Sequence, residues 1–404
     1  MDLTIRFLGK EDHLEQIFDL FRTNSLLGPN YASTRGVWQF QYEKNPRSKS
    51  WSTIYINQEN NAILGHFGLL PFPLTIRSQR RTGAYVSSCV TAKESRKAFS
   101  PFSQTKKTFP VVSLIEQCCR AAFADSADLV FCFSIIPFSF WKMFKFHNLS
   151  LETRTVWFLS PRELYGQYVQ ELKSRIKNGW RKIFIKSYAL SLTLLQGAWK
   201  TARKIRHSLC VNDGAKIDLE EFHEFDQSLG DLWAKFVCDN PDLITYDREI
   251  PYLNWRFNNS SYSRYKFFIK GRLIGYCIIL KHETKSRAPL HEIYEFIVLN
   301  AYLKYIPVLL TKMAAKQNAK IEFKHFLSCP YSRKMFRESA RYGYQLFLRI
   351  PEVVRNKPRK AIMQPSFNFR MNRESPFIQR HEEYLKNTEN WFINPLFFVP
   401  RYYE

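Results

Sequence analysis

The sequence predicts a mixed α/β (α+β) protein of two similar halves. Each half reads as a mixed, mostly antiparallel sheet flanked by helices, and a basic helical segment lies between them. Three observations lead there. Short strand-type runs bounded by turn residues trade places with stretches of helical spacing along the whole chain. The same order of elements comes twice, at the scale of a domain. Between the two runs, Gln170 to Cys210 holds ten basic residues against Glu171 alone. A length of 404 residues agrees, since domains average roughly 150 residues. The expected segments are an N-terminal domain over 1–160, a basic amphipathic helical linker over 161–215, a C-terminal domain over 216–350, and a strap with an aromatic tail over 351–404.

The first half opens as strand then helix. Leu3–Leu8 alternates, and His13–Arg22 places Leu14, Ile17, Phe18, Leu20 and Phe21 close to helical spacing. After a loop comes Trp38-Gln39-Phe40-Gln41-Tyr42 and a turn at Asn45-Pro46. Trp51–Asn57, Ala62–Leu70 and Arg81–Thr91 predict three strands, the first two joined by a turn over Gln58–Asn61. Pro110–Ala124 has a helical apolar face that includes Cys118 and Cys119. Leu129–Ile136 is a continuous apolar run, the mark of a strand buried on both faces. A short helix over Pro137–Lys145 and a strand over Thr153–Leu159 follow.

The second half repeats this grammar. Asp231–Cys238 is helical, and Ile250–Phe257 carries Trp255-Arg256-Phe257, an echo of the earlier Trp-x-Phe. Tyr265–Lys270, Arg272–Leu280 and Glu292–Leu299 predict strands, with Lys270-Gly271 as a turn. Tyr302–Gln317 is a helix, Lys320–Phe326 a strand, and Tyr331–Ala340 a helix with Gly343 just past its end. Tyr344–Ile350 predicts a closing strand. Arg355–Arg373, rich in Pro, Asn and Arg, reads as an extended strap. The aromatics Trp391, Phe392, Phe397, Phe398, Tyr402 and Tyr403 are expected to dock the tail on a core, the other reading being ligand stacking.

Composition narrows function by exclusion. With 45% apolar and 24% charged residues the chain is neither disordered nor fibrous. Only 14 glycines speak against several glycine-rich phosphate loops. The formal charge of +24 suits a nucleic acid, an anionic lipid or a phosphate-bearing cofactor, and equally suits simple solubility. Cys89, Cys118, Cys119, Cys132, Cys210, Cys238, Cys277 and Cys329 show no CxxC and no zinc spacing, so no metal is expected and buried thiols are the reading. The first residues lack a secretory pattern, and a cytoplasmic protein with reduced thiols is expected. In the basic segment, Ile183–Trp199 is at the short limit for a membrane span. A helix packed on its own protein, or one lying at the inner membrane face as a peripheral contact, fits better; nucleic-acid contact is the remaining reading.

The order of elements, with Trp38-x-Phe-x-Tyr42-x-x-Asn45-Pro46, Ala62-Ile-Leu-Gly65, Leu70-Pro71 and Val90-Thr91 in the first half, resembles a tandem member of the GNAT N-acyltransferase superfamily. Tyr252-Leu253-x-Trp255-Arg256-Phe257, Gly271-Arg-Leu-Ile-Gly275-Tyr276 and Tyr342-Gly343-Tyr344 carry the resemblance in the second half. It spans nearly the whole chain. It implies two GNAT-like domains and acetyl-CoA or another acyl-CoA as a substrate, bound where two central parallel strands part, with the pyrophosphate on a glycine-bearing loop at a helix N-terminus. Here the loop after Val90 and Thr91 has no glycine, so the acetyl-CoA motif is degenerate. Two readings stay open. Val90 and Thr91 at the strand end line the coenzyme while Arg96, Lys97, Gln104, Lys106 and Lys107 hold its phosphates by charge and side-chain donors, or the site is lost.

The resemblance implies direct attack of an amine on the thioester, helped by a base and an acid. Three residues are the candidates. His66 is a base or a satisfied core histidine. Glu295 is a base or the partner of an arginine such as Arg256. Tyr331 stands where the superfamily's acid tyrosine would be in the second half, whereas Phe138, Phe140 and Phe144 stand there in the first. Cys118-Cys119 are read as packing, not nucleophiles. The leading expectation is an acyltransferase, of bacterial type, acting on an amine of a small molecule, amino sugar or peptide. The alternatives are a catalytically inactive GNAT-fold binding module and a tRNA-dependent transferase of the Fem type, which the charge would suit.

Overall fold

The computed structural model describes residues 3–9, 14–24, 35–47, 49–93, 110–134, 138–149, 152–158, 164–166, 168–169, 172, 182–210, 216–257, 259–281, 290–317, 319–343 and 366–392. The first half is built on β1 (Leu3–Phe7), β2 (Trp51–Asn57), β3 (Ala62–Ile76) and β4 (Gln79–Thr91), an antiparallel meander. Alternation divides its side chains between two faces. Helix α1 (Leu14–Asn24) and the turn α2 (Arg35–Trp38) cover Ile54, Ile63, Leu70 and Val90 on one face. Helix α3 (Pro110–Ala124) covers Tyr55, Phe67 and Leu69 on the other. Strand β5 (Leu129–Ser134) then joins β4 in parallel, followed by the short helix α4 (Phe138–Lys142) and β6 (His147–Leu149).

The second half repeats the plan: β8 (Ile217–Glu221), α6 (Gln227–Asp239), β9 (Ile244–Tyr246), α7 (Ile250–Arg256), β10 (Tyr262–Ile269), β11 (Arg272–Lys281), β12 (Leu290–Val298), α8 (Ile306–Gln317), β13 (Lys320–Phe326) and α9 (Pro330–Tyr342). Asp226 caps α6 by accepting from the Leu229 amide. Lys270 and Gly271, both at positive φ, make the tight β10–β11 turn that the sequence pointed to. The basic segment contributes one helix, α5 (Lys182–Cys210).

The sheets do not follow the order of the chain. The first runs β1-β2-β3-β4-β5-β14-β6, where β14 (Ser366–Met371) comes from the strap. The second runs β7-β13-β12-β11-β10-β8, where β7 (Thr153–Phe158) comes from the end of the first half. In addition, β9 pairs the far end of β3. The strap is thus partly a strand. Phe367, Phe369 and Met371 alternate into the core, and buried Asn368 accepts a 2.9 Å hydrogen bond from Asn148 of β6. β3 also outruns its sequence reading by six residues. Pro71 and Pro73 suggest a break, but they lie in the gap between the end of β2 at Leu69 and the start of β9 at Leu74, where one side of β3 is an edge.

In the tail, α10 (Pro376–Lys386) is capped by Ser375, and Trp391 is buried against Phe367 and Phe369 at 4.9 and 5.3 Å. Phe392 is buried as well. Phe397, Phe398, Tyr402, Tyr403 and the predicted strand over Tyr344–Ile350 lie outside the described residues. Gly343 ends α9 at φ −80°, so its conformation makes no demand for glycine. Space does, because a Cβ there would overlap the Val156 side chain on β7. Gly343→Ala is therefore expected to lower stability by about 1–3 kcal/mol, with partial recovery in Gly343→Ala/Val156→Ala, read by urea denaturation.

Candidate functional site

The two sheets share one local geometry. β4 and β5 run parallel for three pairs, Gly83–Leu129, Ala84–Val130 and Tyr85–Phe131, and then part. β4 continues beside β3, while β5 pairs β14. Where they part, β4 has one residue too many. Leu69 faces Val86 and Gly68 faces Ser88, which leaves Ser87 as a bulge outside the ladder. In the second sheet β12 and β13 pair at Leu290–Lys320, His291–Ile321 and Glu292–Glu322, then part, and Tyr294 is the bulge. A second bulge, at Leu64 and at Ile274, also matches. In this register Gly65, His66 and Ser88 correspond to Gly275, Tyr276 and Glu295.

In the first half the parting point carries a chain of neutral polar groups. The Tyr42 hydroxyl meets Ser87 Oγ at 2.5 Å and Ser88 Oγ at 3.0 Å. Ser88 Oγ reaches His66 Nδ1 at 3.0 Å, and His66 Nε2 reaches Ser52 Oγ at 3.3 Å. Ser87 Oγ donates to the Gly68 carbonyl at 3.1 Å. Gly68 makes this possible: a Cβ there would overlap the Tyr42 hydroxyl and sit 2.6 Å from Ser88 Oγ. Trp38 stacks on Tyr42 at 4.2 Å and, with Phe21, closes over His66. The Trp-x-Phe-x-Tyr stretch of the sequence is therefore the lid of this cluster. Burial pushes the His66 pKa down to about 3, so the imidazole is neutral and far from the value near 7 that suits a base at neutral pH.

In the second half the same point is filled by an ion pair. Arg248 Nε and Nη2 donate to Glu295 Oε1 at 2.9 and 2.7 Å, and the Tyr246 hydroxyl donates to Oε2. Both charged side chains are about 98% buried, at 1% and 2% exposure. Burial alone would lower the Arg248 pKa, but the Glu295 carboxylate beside it raises it above its ordinary value. The guanidinium lies 4.2 Å over Trp233 and 4.1 Å over Tyr246. What remains open beside it, bounded by Lys324, His325, Ser332, Met335 and Phe392, is about 20 Å³. That holds a water but no pantetheine arm. Tyr331 spends its hydroxyl on the end of β12, donating to the Val298 carbonyl at 2.8 Å and accepting from its amide at 3.2 Å.

The sequence candidates thus fall into two places. His66 lies on β3 of the first sheet, Glu295 on β12 of the second, and Tyr331 on α9, hydrogen-bonded to the end of β12. The arginine on Glu295 is Arg248, not Arg256. Val90 is buried under α1 and Thr91 is half-buried at the end of β4. Arg96, Lys97, Gln104, Lys106 and Lys107 lie outside the described residues. Cys118 and Cys119 are buried on α3, and burial pushes the Cys119 thiol up to about 12, which suits packing. Tyr42, Ser52, Ser87 and Ser88 escaped sequence reading. Tyr42 stood in the quoted motif, but a bulge leaves no mark on strand alternation that one sequence reveals.

No protein-family model matches the chain, and no curated protein matches its sequence. Solved structures do match. A GCN5-related N-acetyltransferase from Anabaena variabilis superposes with TM-score 0.53 at 10% identity, over 92% of this chain and 74% of that one. One from Kribbella flavida gives 0.52 at 6% identity, over 92% and 72%. At such identities the likeness is one of fold, and the fold is the GNAT fold in two copies.

Two outcomes follow for stability. Glu295→Gln or Arg248→Met alone strands a buried charge or its partner and is expected to cost about 3–5 kcal/mol, whereas Arg248→Met/Glu295→Met costs far less than the two together, as a urea double-mutant cycle would record. His66 and His325, each held near 3 by burial, take up a proton only on unfolding below their ordinary 6.5. Stability is then full above pH 6.5 and falls by up to about 1.4 kcal/mol per unit for each as pH drops toward 3. His66→Asn should remove one such slope from the pH dependence of urea unfolding.

Proposed function

We propose that the protein is an N-acyltransferase that moves an acyl group from acyl-CoA to the amine of a small molecule, amino sugar or peptide, with one working site, in the first half. The observation that carries this reading is the parting of β4 and β5 at the Ser87 bulge, with the Tyr42–Ser88–His66–Ser52 chain beside it. A bulge at diverging strands leaves backbone polar groups outside the ladder. An acyl thioester laid between β4 and β5 would bring its carbonyl oxygen to them. The basic stretch 93–107 follows β4 directly and supplies charge for the coenzyme phosphates in place of glycine.

The reaction in this reading is direct. The amine nitrogen attacks the thioester carbon, the C–N bond forms, the C–S bond breaks, the amine loses a proton and the coenzyme thiolate gains one. Tyr42 is the acid nearest the bulge, and neutral His66 orients Ser88 and, through it, the Tyr42 hydroxyl. The second half serves as scaffold and acceptor wall, because its corresponding cleft is occupied by Arg248 and Glu295.

Calorimetry with acetyl-CoA and longer acyl-CoAs tests the reading. Micromolar binding is expected, weakened at least tenfold in Arg96→Glu/Lys107→Glu. Tyr42→Phe should keep that affinity while transfer to an accepted amine falls roughly 10²–10⁴-fold. A wild-type protein that binds no acyl-CoA of any length would sink the proposal.

A further inference from the structure

Among the described residues the large exposed apolar side chains are Phe7, Met143, Tyr188, Leu190, Leu194 and Leu195. Four of these six fall within eight consecutive residues of α5. The helix is fastened by its other side. Ile185 and Ala189 are buried with Leu164, Tyr168 and Leu172, and Gln196 donates to the Tyr168 hydroxyl at 2.5 Å. Helical spacing then sets Leu190 and Leu194 one above the other, with Leu195 beside them, at 51%, 64% and 69% exposure. A helix of 29 residues is about 43 Å long, so the leucines form a row near its middle.

The charge of the segment is one-sided. From 172 to 212 the sequence has ten basic residues and no acidic one. Six of them, Lys182, Lys186, Lys200, Arg203, Lys204 and Arg206, occupy positions on α5 and bracket the leucine row from both ends. No described helix is long and apolar enough to cross a membrane. We infer that α5 is a docking surface for an anionic lipid bilayer, with Leu190, Leu194 and Leu195 entering the acyl-chain boundary and the flanking basic positions meeting the headgroups.

The pairing of the two features favours this occupant. A bilayer interface accepts leucine and cation on one helix. A nucleic acid would use the charges and leave three leucines in water, since its bases bind aromatic stacking platforms. A second copy would cover the leucines and bring two strongly basic helices together. The inference stands apart from the acyl-transfer reading, and lipid binding can fail or hold whatever the chemistry of the site.

Co-sedimentation of the full chain with phosphatidylcholine vesicles, and with vesicles that also contain phosphatidylglycerol, tests it. Binding is expected to the mixed vesicles and little to phosphatidylcholine alone. Raising salt from about 0.1 to 1 M shrinks the screening length from about 10 to 3 Å and should weaken it. Leu190→Ser/Leu194→Ser/Leu195→Ser should lose at least tenfold, and Lys186→Gln/Lys204→Gln roughly 25-fold at low salt, at about fivefold per charge. Both variants should keep the wild-type thermal midpoint and acyl-CoA titration. The inference is overturned if the wild type stays in the supernatant with mixed vesicles, or if the leucine variant binds as well as the wild type. It is overturned too if, without lipid, the wild type sediments as a dimer that the leucine variant dissolves.

Discussion

The ion pair between Arg248 and Glu295 is the constraint on which the assembly turns. Two charges removed from water carry a desolvation cost of several kcal/mol each, and only close, saturated contacts offset it. Those contacts come from separate parts of the chain. Arg248 lies two residues beyond β9, the strand that the second half lays on β3. Glu295 comes from β12, Trp233 from α6, and Phe392 from the tail beyond α10. Asp247, next in sequence to Arg248, takes a 2.7 Å hydrogen bond from Trp233 and a 3.1 Å ion pair from Arg80 at the tip of the β3–β4 hairpin. Each of these elements has to be in place before the charges are satisfied.

The duplicated register shows how one frame came to hold two chemistries. Both halves keep the two bulges and the glycine at 65 and 275, yet the residue after the second bulge is Ser88 in one and Glu295 in the other. A serine there is small and neutral. It needs one or two hydrogen bonds, which Tyr42 and His66 supply, and it leaves the strand mouth unfilled by charge. A glutamate needs a cation, and the cation brings its own stacking rings, so the mouth closes. The halves also meet through their matching motifs: Trp255 stacks on Phe40 at 4.7 Å and donates its indole hydrogen to the Phe40 carbonyl at 3.2 Å.

Much of this was legible in the sequence, for identifiable reasons. Strand-type runs bounded by turn residues located β2, β11 and β12, which are buried on both faces, and helical spacing located α1, α3 and α8, which pack an apolar face on their own half. Leu129–Ser134 read as a central strand because it is apolar on both sides. Other features were hidden because their cause lies far along the chain. Ser366–Met371 is too short and too polar at Asn368 and Arg370 to stand out from a strap; a 2.9 Å hydrogen bond from Asn148 and a paired contact between Arg370 and Glu116 make it a strand. β3 is legible only as far as Leu70, because nothing local shows that Pro71 and Pro73 fall in the gap between its two neighbours β2 and β9. Glu295 was visible as a buried carboxylate in need of an arginine, but nothing in the spacing distinguished Arg248 from Arg256.

The placement of β14 also bears on how the chain is made. β5 ends at Ser134, and its outer neighbour does not exist until Met371 has been synthesised, more than 230 residues later. At about 5–20 residues per second that is a wait of roughly 10–50 seconds. During it, Phe131 and Phe133 sit on an open strand edge, the kind of surface on which strands of other chains nucleate. β6 is stranded too, since its ladder contact is with β14. The half that leaves the ribosome first is therefore the last to be closed, and its protection in that interval has to come from outside the fold.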